Sequence, residues 1–409
     1  MQQSKIAIGC FSEDFTGACE AASVFSASGL NTLLLNRLPE GNVLPEPVQA
    51  VVFPLNRYDN SSQTRPEKIH EALSFLQEND TGKIYYKYAS DVRDFSSLAE
   101  TVGLLLKECR QQYTLLCPAF PALGCTVENG WVLLESESPG ADFRSAIQSK
   151  GENPGFVMPQ DLLYGRMERR GDYLTEKTWK HPYFYVIPDH GDERDGAQIA
   201  NEFSSLRLLT GSGGLAGSLA NQIAGVNASP RVFSQPPDVG GRCLAIACSC
   251  TSIVREQVEA FVETGNPSYQ IDPHLLGSGE QSADSLIALV RGSSPRPVLL
   301  YNSNMFNSRS YDFSLDDNQD NSLLLEQTMG KIAMRAIDLE ISKIIVLGDT
   351  ASQSVANQLD TPFFFVGRSL FPGISVMIPA NHKSTRFLFV HGGCFESSFL
   401  SDVLRALQY

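Results

Sequence analysis

Phe11-Ser12-Glu13-Asp14-Phe15-Thr16-Gly17-Ala18-Cys19-Glu20 follows the apolar run Lys5-Ile6-Ala7-Ile8-Gly9-Cys10, and reading the two together decides the fold. The apolar run predicts a buried first strand, and Ala18 to Ala27 a helix that stops at Gly29. A strand ending in acids, a small turn and a helix N-terminus are the parts of a ligand site in an open α/β sheet. Ligands there sit beyond the carboxyl ends of the strands, against free helix N–H groups. Plain capping also fits Glu13 and Asp14, since acids are favoured in a first turn.

Working outward, strands and helices alternate. Gln49 to Leu55 reads as a strand, and Pro66 opens a helix to about Asn79, the expected place for proline. Lys83 to Tyr88 is a third strand, Ser96 to Gln112 a helix, and Tyr113 to Cys117 a fourth strand. Residues 133 to 180 are polar and Gly/Pro-punctuated, which predicts a surface excursion. Alternation resumes with strand Tyr183 to Ile187, an acid-rich segment from Asp189 to Asp195, helix Gly196 to Ser204 and strand Leu206 to Thr210. Such alternation means a mainly parallel sheet with helices on both faces.

Gly211-Ser212-Gly213-Gly214-Leu215-Ala216 matches the dinucleotide fingerprint G-x-G-x-x-A after a strand. The fingerprint also wants an acid about 20 residues on. No Asp or Glu occurs between Gly211 and Asp238, so close backbone approach to an anion or a neighbouring strand explains the glycines better than NAD. The Pro/Gly-rich segment Ala228 to Arg242 is the best domain boundary. A second α/β set follows. Its strands are Cys243 to Cys248, Tyr269 to Ile271, Pro297 to Tyr301, Lys343 to Leu347 and Phe387 to Val390.

A length of 409 residues suits two or three domains. A net charge of −14, from 46 acids against 32 bases, argues against a nucleic-acid partner. No apolar run approaches the roughly 20 residues of a membrane helix, and no secretory h-region is present, so the chain reads as cytoplasmic. Nine scattered cysteines read as free thiols, and no transition-metal pattern occurs.

Several motifs occur in a specific order. Ser12 to Ala18 is close to A-D-D-F-T-G-A, with Glu20 at the place of a further acid. Lys87-Tyr88-Ala89-Ser90-Asp91-Val92-Arg93-Asp94 is close to a lysine followed by D-S-T-L-R-G. Pro118 to Gly130 follows P-A-F-P-A-x-G-R-T-x-x-x-G with Cys125 at the arginine. Cys248-Ser249-Cys250-Thr251 with Gln257, Leu347 to Ser352, and His391 to Glu396 are looser likenesses to G-S-C-S-x-x-T-x-x-Q, G-G-[ED]-T-S-G and K-S-G-N-F-G. Together these resemble the four-carbon acid sugar kinase family, two-domain enzymes that phosphorylate tetronate-type acids with ATP.

The resemblance implies two α/β domains with a ligand cleft between them. Residues 1–232 would bind the sugar acid and 233–409 the nucleotide. The function implied is ATP-dependent transfer of the γ-phosphoryl group to a hydroxyl of a small anionic sugar acid, with ATP and Mg²⁺ required. A homo-oligomer is one option for the assembly. Asp14, with Glu13 as runner-up, is expected to accept the hydroxyl proton or to orient the acceptor hydroxyl. Arg57, Lys87, Ser90, Arg93, Phe120, Gly124 and Thr126 are expected on the acid. Ser249, Gly348, Asp349, Thr350, Gly392 and Gly393 are expected on the nucleotide, Asp349 reaching Mg²⁺ through water.

Departures from the motifs keep a second class open, a weak or inactive relative that binds a sugar acid or nucleotide as a regulator or partner. Leu347, Ser352, Cys248 and Glu396 replace glycines, adding bulk where backbone should approach phosphate, and Cys125 removes a cation.

Overall fold

The computed structural model describes residues 6–39, 44, 48–55, 64–89, 95–134, 137–225, 240–293, 295–306, 319–392 and 395–407. The chain divides into two compact units, Met1–Val232 and Phe233–Tyr409. Each is an α/β unit built on a mainly parallel sheet.

The first unit opens with β1 (Ile8–Ser12) and α1 (Phe15–Ala27), then β2 (Thr32–Leu35), β3 (Ala50–Pro54), α2 (Arg65–Glu78), β4 (Lys83–Lys87) and α3 (Phe95–Glu108). β1 is buried along its whole length, as expected for a parallel strand covered on both faces. It runs to Ser12, beyond the predicted Cys10, so Glu13 and Asp14 stand directly at the strand end. α1 opens at Phe15, earlier than predicted, because Asp14 and not a later residue is its cap. A capping box between Thr64 and Glu67, with Pro66 in the first turn, fixes the start of α2.

Next come β5 (Tyr113–Leu115), β6 (Cys125–Glu128), β7 (Trp131–Leu134), β8 (Glu137–Asp142), α4 (Phe143–Lys150), β9 (Gly155–Met158), α5 (Gln160–Leu163) and α6 (Met167–Lys180). β10 (Phe184–Pro188), α7 (Glu193–Glu202), β11 (Leu208–Gly211) and α8 (Gly213–Ala224) complete the unit. Residues 133 to 180 are therefore not a bare surface excursion. They supply β9, which pairs in parallel with β10 in the sheet β5-β10-β9, and they bury Phe143, Ile147, Met158 and Leu163. So few core residues, spread over so many polar ones, leave no periodicity to read.

The main sheet of this unit runs β11-β4-β1-β3-β2, all parallel. The chain leaves β1 for β2, two strands away, returns to β3 between them, then crosses to β4 on the other side of β1. Connections out of β1 and β4 thus diverge, and the crevice beyond their carboxyl ends is the ligand position for such sheets. Ser12 and Lys87 are register partners at that end.

The second unit has β12 (Cys243–Ala247), α9 (Ser252–Glu263), β13 (Ser268–Ile271), α10 (Pro273–Ser278), α11 (Ala283–Gly292) and β14 (Val298–Asn302). α12 (Gln319–Asp338), β15 (Lys343–Leu347), α13 (Asp349–Gln358), β16 (Phe363–Phe371), β17 (Ile374–Pro379), β18 (Arg386–Val390) and α14 (Phe399–Ala406) follow. Its strand order, β16-β17-β18-β15-β12-β14-β13, repeats the winding of the first unit, with β12 in the place of β1 and β15 in that of β4. The antiparallel β16–β17 hairpin turns at Pro372-Gly373, where Gly373 has φ 75°.

Candidate active site

In the first unit the site begins at Asp14, whose extended backbone turns the chain into α1. Its Oδ1 accepts from the Gly17 amide at 2.6 Å and from Thr16 Oγ1 at 3.2 Å. The capping role is thus real, and it holds the carboxylate at the strand end. Lys87, 4% exposed at the end of β4, donates from Nζ to Glu20 Oε2 at 3.1 Å. A Cβ on Gly17 would lie 2.5 Å from Ser12 Oγ and 3.0 Å from both Asp14 Oδ1 and Lys87 Nζ. Only glycine lets those three groups close around the first turn of α1. One cation, two carboxylates and a helix N-terminus meet there.

Glu13 is placed differently. Its amide donates to Lys87 O at 3.3 Å, and its carboxylate faces Arg65 Nη2 at 3.8 Å. Arg65 is fixed by bonds to Ser97 Oγ at 2.7 Å and Thr101 Oγ1 at 2.9 Å. Sequence reading missed Arg65, which has no motif around it; the one signal was a base at the start of a helix that follows a strand.

The Pro118–Gly124 loop forms the wall. Phe120 packs against Gly213, where a Cβ would come 2.5 Å from its ring and 2.3 Å from Glu20 Oε1. The glycine-rich turn is therefore a clasp between loops, and Ser212 N donates to Cys117 O at 3.0 Å. Gly124 is a turn residue with φ 71°, and Thr126 lies half-buried on β6. Among the described contacts neither joins the Asp14–Lys87 cluster. Cys125 is buried with its thiol toward Pro118 O at 3.7 Å. Arg57, Ser90, Arg93 and Gly393 lie outside the described residues.

Below this loop His190 is fully buried, its Nδ1 3.2 Å from Cys117 Sγ, and its backbone pairs with Val127. Burial pushes the imidazole down to about 4 against the pull of Asp195 and Asp192.

In the second unit the ends of β12, β15 and β18 meet. A Cβ on Gly392 would strike Ser249 Oγ at 2.3 Å, and one on Gly348 would reach Ser249 N at 3.1 Å. The Gly348 amide donates to Val390 O at 2.9 Å. Gly348 therefore serves the close packing of strand ends, and Asp349, Thr350 and Ala351 form the first turn of α13, where backbone N–H groups have no acceptor within the helix. Asp349 is bound by His391 Nδ1, at 2.9 Å from Oδ2 and 3.1 Å from Oδ1. Thr251 Oγ1 donates to Gly392 O, and Gln257 Nε2 to Phe395 O and Glu396 O at 3.2 and 3.3 Å, pinning the loop after β18 to α9.

Two family models match the chain, a sugar-binding N-terminal domain over residues 8–142 and a nucleotide-binding C-terminal domain over 244–395. Together they take in well over half of it. The chain belongs to the four-carbon acid sugar kinase family. Relatives named 3-oxo-tetronate kinase include those of Actinobacillus succinogenes, 25% identical over 90% of this chain and 92% of the relative, and Pseudomonas fluorescens, 24% identical over 98% and 97%. A solved protein of Salmonella typhimurium has the same fold, with a TM-score of 0.80 at 22% identity over 98% of this chain and 99% of its own. A Haemophilus influenzae structure gives 0.71 at 22% identity over 97% and 99%.

Within this four-carbon acid sugar kinase chain the replaced glycines can now be placed. Leu347 and Ser352 are fully buried and Cys248 nearly so, while Glu396 is exposed. The first three side chains are thus sunk in the interior of the unit, and of the four only Glu396 is exposed. Among the described residues no helix is long and apolar enough to cross a membrane, and no cluster of three or more His, Cys, Asp or Glu suits a metal ion. Asp349 nevertheless fits a magnesium ion carried in on a nucleotide: a partly exposed hard-oxygen donor whose carboxylate is itself hydrogen-bonded.

Proposed function

We propose that this chain is an ATP-dependent kinase that phosphorylates a hydroxyl of a small, four-carbon sugar acid. The observation that carries the proposal is the convergence of Lys87, Asp14 and Ser12 on Gly17, with Glu20 on Lys87, at the carboxyl ends of β1 and β4. The names of the relatives point to a 3-oxo-tetronate as the first acid to try.

In this reading the acid's carboxylate is drawn by the Lys87 ammonium and the first-turn amides of α1. Asp14 accepts the proton of the attacking hydroxyl as its oxygen bonds to the γ-phosphorus and the bond to the β-phosphate oxygen breaks, releasing ADP. Glu13, held toward Arg65, keeps the strand end in place and takes no proton. The amides of α13, with Thr350 and Ser249, hold the nucleotide phosphates. Asp349 would hold Mg²⁺ through water; when bound, the ion neutralises phosphate charge.

ADP release with MgATP across a panel of four-carbon and related acids tests the proposal. The expected result is turnover with one acid or a narrow set. A protein that binds MgATP or an acid by calorimetry yet turns over none would have a binding role instead, and one that binds neither would sink both readings.

A further inference from the structure

Asp349 and His391 stand 42 residues apart and meet at the carboxyl ends of β15 and β18. The imidazole Nδ1 lies 2.9 Å from one carboxylate oxygen and 3.1 Å from the other, so it spans the group. Both side chains are part-exposed, at 28% for Asp349 and 39% for His391, so the pair faces outward beside the first turn of α13. A surface ion pair of this kind adds little stability, the median being about 0–1 kcal/mol. The loop bearing His391 is nonetheless pinned by Thr251 and Gln257, and Gly392 is packed on Ser249. An outward pair whose neighbouring backbone is pinned in this way is better suited to orientation than to stability.

We infer that His391 is a positioning residue: it holds the Asp349 carboxylate in the orientation that meets a nucleotide-borne magnesium ion. The inference rests on the kinase reading above and adds a residue to it. Carboxylates that ligate metals, directly or through water, are themselves hydrogen-bonded, and losing such a partner typically costs 10–100-fold in metal affinity. His391 touches neither the acid nor the transferred phosphoryl group in this account; it acts through Asp349.

Calorimetry on the full-length protein separates this role from its rivals, using MgATP and, in parallel, ATP in excess EDTA. His391→Ala should weaken MgATP binding about 10–100-fold and metal-free ATP binding less than about threefold. His391→Asn, whose side-chain amide nitrogen occupies nearly the Nδ1 position, should restore most of the MgATP affinity. In an Asp349→Asn background His391→Ala should have no further effect, because the group it orients has gone.

The inference is overturned if His391→Ala binds MgATP like the wild type. It is equally overturned if both ATP forms weaken by the same factor, which would mean direct phosphate contact or a damaged fold. A wild type that binds ATP in neither form overturns the nucleotide assignment itself and this inference with it.

Discussion

Lys87 shows how one side chain links stability to recognition. It is nearly fully buried, yet its partner Glu20 keeps some exposure, so the pair is not sealed from solvent. Lys87→Met should raise the KM for the acid tenfold or more by removing the only described cation at Gly17. It should also lower the melting temperature, since breaking a buried pair leaves an uncompensated charge. Calorimetric acid binding and thermal unfolding on the same variant check both. His190 makes a different prediction. Its folded value of about 4 lies below its ordinary 6.5, so the unfolded chain binds the extra proton first. The stability this contributes is fully present above about pH 6.5 and is lost as pH falls toward 4. A His190→Asn variant should show a flatter acid limb in denaturant melts between pH 7 and 4. A wild-type curve flat over that range would contradict the buried neutral imidazole.

At the level of elements, the clasp between the Pro118–Gly124 loop and the start of α8 is the contact most sensitive to a single methyl. A Cβ on Gly214 would come 2.5 Å from the Ala119 carbonyl oxygen, which is backbone and cannot swing away. Gly214→Ala should destabilise the protein by about 1–3 kcal/mol. It should also displace Phe120 from the wall, raising the KM for the acid; unchanged melts and kinetics would refute the clasp. Elements of this kind were only partly legible in the sequence. Buried parallel strands such as β1, β4 and β15 announce themselves by unbroken apolar runs, and Asp14 and Lys87 are found because they terminate those runs. The β16–β17 hairpin was not found although its signal is local, apolar runs on either side of Pro372-Gly373; β9 was not found because its pairing partner, β10, comes from another segment. Arg65, and the pairing of His391 with Asp349, escaped for the same reason. Each has meaning only through an acid 52 and 42 residues away, at Glu13 and Asp349.

For the molecule as a whole, both units wind their strands in the same order, and each places its polar cluster beyond the strands where the connections diverge. Two ligands, bound on different units, should therefore each stabilise the native chain. MgATP at 100 times its Kd is expected to add about 2.7 kcal/mol to unfolding, and the acid a further increment of its own. Differential scanning calorimetry with each ligand alone and both together reads this directly. No shift with either would mean that neither crevice binds.

Asp14 is proposed to take the proton of the attacking hydroxyl, and the kinetics of Asp14→Asn are the sharpest test of that role. Asparagine caps a helix nearly as well as aspartate, so α1 and the fold should survive, with an unchanged melting temperature. A kcat at least about 10²-fold below wild type is expected, with the KM for the acid within a few-fold. A variant that turns over at the wild-type rate would show that the carboxylate is a cap alone, and that the chemistry lies elsewhere.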